Sequence, residues 1–135
     1  MVYLTEPWAE AALAVVEGDP GIAEAVKGVK LSILTIITGA PEGRYGFFYA
    51  AFDDGLSDYR VGYDYDVVTA GVGEPTFAIS GPYEVFAAIQ RGELGERKAL
   101  LTGKLHLTGS LLKALRHMHA MEAISSALAR IDCAT

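Results

Sequence analysis

The chain contains one cysteine, Cys133, close to its C-terminal end. With no partner for an internal disulfide, it fits a reducing compartment and points to the cytoplasm. Long apolar runs are also missing. The longest, Leu31 to Ile37, is interrupted by Ser32 and Thr35 and is far too short to cross a membrane. No basic stretch precedes an apolar one at the start, which argues against secretion. Positive charge is scarce early: residues 31–75 hold seven acids against two bases, and only residues 76–135 tip the other way, with five against seven. At a net charge of −6, this pattern excludes nucleic acid as a partner. It leaves room for at most transient membrane contact through the last third.

What is present is apolar residue. Hydrophobic side chains make up 51% of the 135 residues. Mean hydropathy is +0.27, high for a small protein. Residues 1–135 fit a single domain with its own core, and the surplus suits an apolar cavity or a subunit interface.

Along the chain, Thr5 is placed to cap a first helix, with Pro7 and Trp8 in its opening turn and Leu4, Trp8, Ala12 and Val15 at helical spacing. Gly18-Asp19-Pro20 ends it, and Asp19 caps a second helix to about Lys27. Leu31 to Thr38 is β-branched and apolar on both faces, the pattern of a covered central strand. Arg44 to Asp53 and Leu56 to Val67 flank Asp54-Gly55, a hairpin signal. A two-residue loop would pair Asp53 with Leu56, Ala50 with Tyr59, Phe48 with Val61 and Gly46 with Tyr63. One face of the hairpin, completed by Phe52 and Tyr65, is then wholly apolar and aromatic. The other, with Phe47, Tyr49, Arg60 and Asp64, reads as solvent or rim.

Thr76 to Ser80 follows as a fourth strand, then a helix from Pro82 to Gln90, a short helical turn from Glu96 to Thr102, and a strand over Lys104 to Thr108 with Leu105 and Leu107 inward. Ser110 caps the last helical region. Its stripe of Leu111, Leu115 and Met118 is out of phase with that of Ile124, Leu128 and Ile131, so a kink or two helices is expected near His119. This order of hairpin-length connections and flanking helices predicts an α+β fold, an antiparallel or mixed sheet covered by helices.

Chemistry-bearing patterns are weak. Gly71-Val-Gly-Glu-Pro lacks the third glycine of a dinucleotide turn, and Gly103-Lys104 lacks the rest of a phosphate loop. His117 and His119 fall on opposite sides of a helix and cannot share a metal ion. The aspartates Asp53, Asp54, Asp58, Asp64 and Asp66 sit at a turn or on the polar face, where a carboxylate stays solvated. No catalytic residue and no metal site is assigned.

The second half carries a more specific signal. Thr76-Phe-Ala-Ile-Ser leads to the helix ending at Gly92, then to Gly103-Lys-Leu-His-Leu-Thr-Gly109 and a long apolar helical region. That order resembles the lipid-binding domain of the sterol carrier protein (type two) family. The resemblance implies a five-stranded sheet covered by helices and an apolar tunnel between sheet and C-terminal helices. It implies binding of a sterol, fatty acid, fatty acyl-CoA or phospholipid, without a cofactor. By position, Phe86, Leu105, Leu107, Leu111, Leu115 and Met118 are implied as tunnel residues. Phe48, Val61, Tyr63 and Met121 join them if the apolar hairpin face meets the Leu111–Met121 helix. A charged residue at position 115 should then abolish binding. The chain departs from animal carriers in ending Cys-Ala-Thr, unlike a peroxisomal signal, and in having His106 and Thr108 where lysines are common. It looks like a stand-alone, prokaryotic member.

Two rival readings follow from the same residues. A cone-shaped α+β enzyme would use Tyr63 and Asp64 to enolise a small carbonyl substrate. An interaction module would use the two-sided aromatics, Phe47 and Tyr49, as a homodimer face. The absence of a catalytic constellation favours the non-catalytic carrier.

Overall fold

In a computed structural model describing residues 1–135, the chain opens with two helices whose ends follow from local chemistry. α1 (Glu6–Gly18) begins with Pro7 near its first position and buries Trp8, Ala12 and Val16. The buried stripe thus ends at Val16, one residue beyond the Val15 that the spacing suggests. Thr5 stands at the N-cap without a side-chain cap; its hydroxyl donates to the Val2 carbonyl instead. α2 (Pro20–Ala25) has a true cap, the Asp19 carboxylate accepting from Gly21 N and Ile22 N.

The sheet has five strands: β1 (Lys30–Ala40), β2 (Arg44–Asp53), β3 (Leu56–Gly62), β4 (Phe77–Pro82) and β5 (His106–Gly109), in spatial order β3-β2-β1-β4-β5. It is mixed. β1 pairs antiparallel with β2 and parallel with β4, while β2–β3 and β4–β5 are antiparallel. β1 is the central strand, as its two-sided apolar character requires.

The hairpin register is Phe48–Val61, Ala50–Tyr59, Tyr49–Arg60 and Phe47–Gly62, as the Asp54-Gly55 turn predicts. At the turn it differs: Phe52, not Asp53, pairs with Leu56, because the ladder slips by one residue between Ala51 and Phe52. Asp54 and Gly55 both take positive φ, 57° and 129°, which only short polar residues and glycine adopt readily.

The strand from Leu56 does not run to Val67. It ends at Gly62, and Asp64 caps a helical turn, α3 (Tyr65–Val68), by accepting from Asp66 N and Val67 N. Tyr65 therefore leaves the apolar hairpin face and stands exposed, and the Gly46–Tyr63 pair does not form. The fold of α3 also closes over the face expected to meet solvent. Leu34, Phe47, Tyr49 and Val68 form a buried cluster there, with Val72 and Ala78 against it. Arg60 ties the segment down by donating to the carbonyls of Val68 and Ala70.

Four helices complete the chain: α4 (Tyr83–Gln90), α5 (Glu96–Leu101), α6 (Leu111–Arg116) and α7 (Met118–Leu128). Ser110 caps α6 by accepting from Lys113 N, and the break to α7 falls at His117. α1, α2 and α7 pack on β2 through Val16, Ile22, Val26, Phe52, Ala120 and Ala127. The main core joins Trp8, Ile37, Phe77, Ile79, Phe86, Leu105 and Met121. No helix is long and apolar enough to cross a membrane.

Candidate functional site

Strand parity puts Ile33, Thr35 and Ile37 of β1 and Phe48, Ala50 and Phe52 of β2 on the helix-covered face. Between them and the helices lies a cavity of about 120 Å³. Tyr3, Leu4 and Trp8 close it at the N-terminal side, Phe86, Ile89 and Gln90 of α4 at another, and Met121, Ile124, Ser125 and Leu128 of α7 form its roof. Thirteen of its seventeen lining residues are hydrophobic, so an occupant is held by apolar surface and oriented by few polar groups.

Those polar groups are distinctive. The Trp8 indole N–H is buried without a hydrogen-bond partner, an arrangement that leaves a donor unused beside the cavity. Gln90 is buried and donates to the carbonyls of Leu128, 2.8 Å, and Ile131, 3.3 Å, closing the last turn of α7. Glu96 lines the cavity with its carboxyl pushed up to about 7. Desolvation by burial is the main cause and the Glu122 carboxylate adds to it, while the Ser125 hydroxyl beside it works the other way. Burial also raises the Tyr3 phenol, with Tyr83, Cys133 and Glu96 contributing, so Tyr3 stays neutral.

Glu96 and Ser125 have a second exposure. Together with Ile89 they also line a larger open groove of about 370 Å³, with Gly92, Leu94, Gly95, Arg97, Glu122, Ser126 and Ala129. Arg97 is engaged there, its Nε 2.7 Å from the Glu122 carboxylate. The apolar cavity and the polar groove therefore share one wall.

Of the ten residues expected to contact a lipid, Phe48, Phe86 and Met121 line the cavity. The other seven stand elsewhere. Val61 is half-buried on the edge strand β3, opposite Phe48. Leu105 is buried in the main core, packed so closely over Gly81 that its methyl lies 2.5 Å from where a Cβ would sit. Leu107 is half-buried on β5 opposite Ile79, and Met118 is buried at the start of α7. Leu111 and Leu115 are 54% and 45% exposed on α6. The break at His117 explains the last two: it rotates the α6 stripe away from the sheet and leaves the Ile124–Leu128 stripe of α7 facing inward.

Tyr63 is used differently again. Its hydroxyl donates to the Leu4 carbonyl at 2.6 Å, and the Arg44 guanidinium lies 3.9 Å above its ring. Asp64 is committed to capping α3. Neither lines the cavity, so the pair has no route to a substrate enclosed there. Phe47 and Tyr49 are covered by α3, which removes the aromatic face on which a homodimer was based. His106 and His119 are exposed, and no cluster of three or more His, Cys, Asp or Glu residues is arranged to hold a metal ion.

Sequence reasoning missed the other fourteen lining residues, among them Tyr3, Ile33, Thr35, Ile89, Gln90, Glu96 and Ser125. Thr35 and the isoleucines of β1 carried a usable signal, since they share parity with one face of a central strand. Glu96 and Ser125 carried none.

The SCP-2 sterol transfer family matches residues 18–122. No curated protein sequence matches the chain. Among solved structures, it is similar to a sterol carrier protein 2, at 16% identity and TM-score 0.78, over 96% of this chain and 99% of that one. A conserved hypothetical protein from Thermus thermophilus superposes at 18% identity and TM-score 0.71, over 95% and 89%. The palmitated SCP2L2 of Aedes aegypti does so at 19% identity and TM-score 0.54, over 91% and 95%. At these identities the structural likeness speaks to the fold.

Proposed function

Because the chain belongs to the SCP-2 sterol transfer family, we propose that it is a single lipid-binding domain that carries an apolar ligand without catalysing a reaction on it. The supporting observation is the cavity between β1, β2 and α7, apolar on nearly every side and fitted with few polar groups. Fatty acid, fatty acyl-CoA, sterol and phospholipid are the ligand classes in view, and one similar structure is of a palmitated protein. Each methylene removed from water contributes roughly 0.8 kcal/mol, so a long tail needs little polar help.

At about 120 Å³ the cavity is close to one that takes a benzene-sized guest, and smaller than the ~300 Å³ at which pockets for larger ligands begin. Binding a long tail therefore opens it. α6 buries only Ala114, and it presents Leu111, Leu112 and Leu115 to solvent beside Lys113 and Arg116. An exposed leucine stripe with flanking bases suits transient contact with an anionic bilayer during loading. Reducing, cytoplasmic surroundings suit the free Cys133.

Native mass spectrometry of freshly purified protein, with lipid extraction alongside, tests the reading. A stoichiometric apolar adduct is the expected result. A clean apo mass that persists with fatty acids, acyl-CoA and sterols overturns it.

A further inference from the structure

The wall shared by the cavity and the groove is built from Ile89, Glu96 and Ser125, and two of these three are polar. An amphiphile threading its tail into the apolar cavity would leave its head at this point, facing the groove. The head would meet a carboxyl group and a hydroxyl. Resting on the carrier reading above, we infer that Glu96 and Ser125 form a head-group subsite that selects amphiphiles ending in an uncharged hydroxyl over those ending in an anion.

The charges facing the subsite support this selection. α5 contributes Glu96 and Arg97, and α7 contributes Glu122. Arg97 and Glu122 neutralise each other at 2.7 Å, so the carboxyl of Glu96 is the one charge left over. α4 contributes Gln90, whose amide nitrogen is committed to the carbonyls of Leu128 and Ile131. The N-terminal segment contributes Tyr3, a neutral phenol near enough to sense Glu96. No free base is presented to an arriving carboxylate, sulfonate or phosphate. An alcohol instead donates its O–H to the Glu96 carboxylate, which the Ser125 hydroxyl, itself donating to that carboxylate, helps to keep ionised.

Because Glu96 titrates near neutrality, an anionic head is repelled above that range and tolerated below it. A permanently charged ligand isolates this effect, since its own head does not titrate.

Decanol and decane-1-sulfonate, which share one tail, are titrated against displacement of the neutral probe N-phenylnaphthylamine. For the unmodified protein the expected result at about pH 8 is decanol binding at least about tenfold more tightly, with sulfonate affinity rising several-fold toward about pH 6. Glu96→Gln should raise sulfonate affinity and abolish its pH dependence. Ser125→Ala should weaken decanol several-fold and move the midpoint of the sulfonate profile upward, because the Ser125 hydroxyl lowers the Glu96 proton affinity. This second variant keeps the subsite testable if the first does not fold. Equal affinity for the two ligands, or a pH profile unchanged in both variants, overturns the subsite and leaves the carrier reading standing. Displacement by neither ligand at either pH overturns both.

Discussion

The Tyr63 hydroxyl donates a 2.6 Å hydrogen bond to the carbonyl of Leu4, joining residues far apart in sequence. Leu4 sits at φ 64°, a backbone region that costs a bulky residue roughly 1–2 kcal/mol. It also lines the cavity. Tyr63 thus shapes the site from outside it, by holding a strained residue in place.

Tyr63→Phe should lower stability by about 1 kcal/mol, the usual worth of a net hydrogen bond. Because Leu4 then relaxes, the affinity for an apolar probe should change too. Urea unfolding combined with probe titration measures both, and a variant equal to the parent in each would remove Tyr63 from this role.

Glu96 makes stability depend on pH. Its folded-state pKa, about 7, lies above the ordinary value of 4.5, so the folded protein keeps the proton that the unfolded chain releases. Stability should fall as pH rises from 4.5 to about 7, the window between the two values. The loss from this group is at most about 3 kcal/mol, given its partial exposure. Glu96→Gln should flatten that slope and raise the melting temperature at about pH 8. Thermal scans across the range compare the two proteins.

The leucines of α6 should matter to membranes rather than to the core. Leu115→Glu at a 45% exposed position should change stability by only about 0.5 kcal/mol. The same change should weaken co-sedimentation with anionic vesicles. Met121→Glu, a charge placed in the cavity wall, should destabilise strongly and stop probe binding. Unfolding of Leu115→Glu would instead assign Leu115 a core role and overturn its part in membrane contact.

The two glycines of Gly103-Lys-Leu-His-Leu-Thr-Gly109 should differ in tolerance. Both have positive φ, 77° and 117°, but a Cβ on Gly103 meets open space while one on Gly109 meets the Thr76 carbonyl and Phe77 Cβ at 3.1 Å. Gly103→Ala should cost about 1 kcal/mol and Gly109→Ala clearly more, with loss of the β4–β5 pairing. Urea midpoints of the two variants rank them.

The pairing of Phe48 with Val61 was legible from the Asp-Gly signal, although Phe52 rather than Asp53 meets Leu56 at the turn and a one-residue shift beyond it restores the expected register. The helix starts at Asp19 and Ser110 were legible for a similar reason: a capping side chain acts within three residues. Tyr65 was misplaced because alternation alone cannot show that Asp64 will cap a helical turn and end the strand.

By itself, then, the sequence determined what local geometry controls: the apolar surplus, the α+β order, the central strand and most of the hairpin register. Only the tertiary structure decided which apolar residues enclose empty space. Leu105 and Phe48 are alike in sequence terms, yet one fills the room above Gly81 and the other faces a cavity. Whether a side chain meets a neighbour or a void depends on how distant segments close together. A turn at His117 was enough to send Leu111 and Leu115 outward, and a chain reversal through α4 and α5 brought Glu96 to the apolar cavity, where its charge is costly.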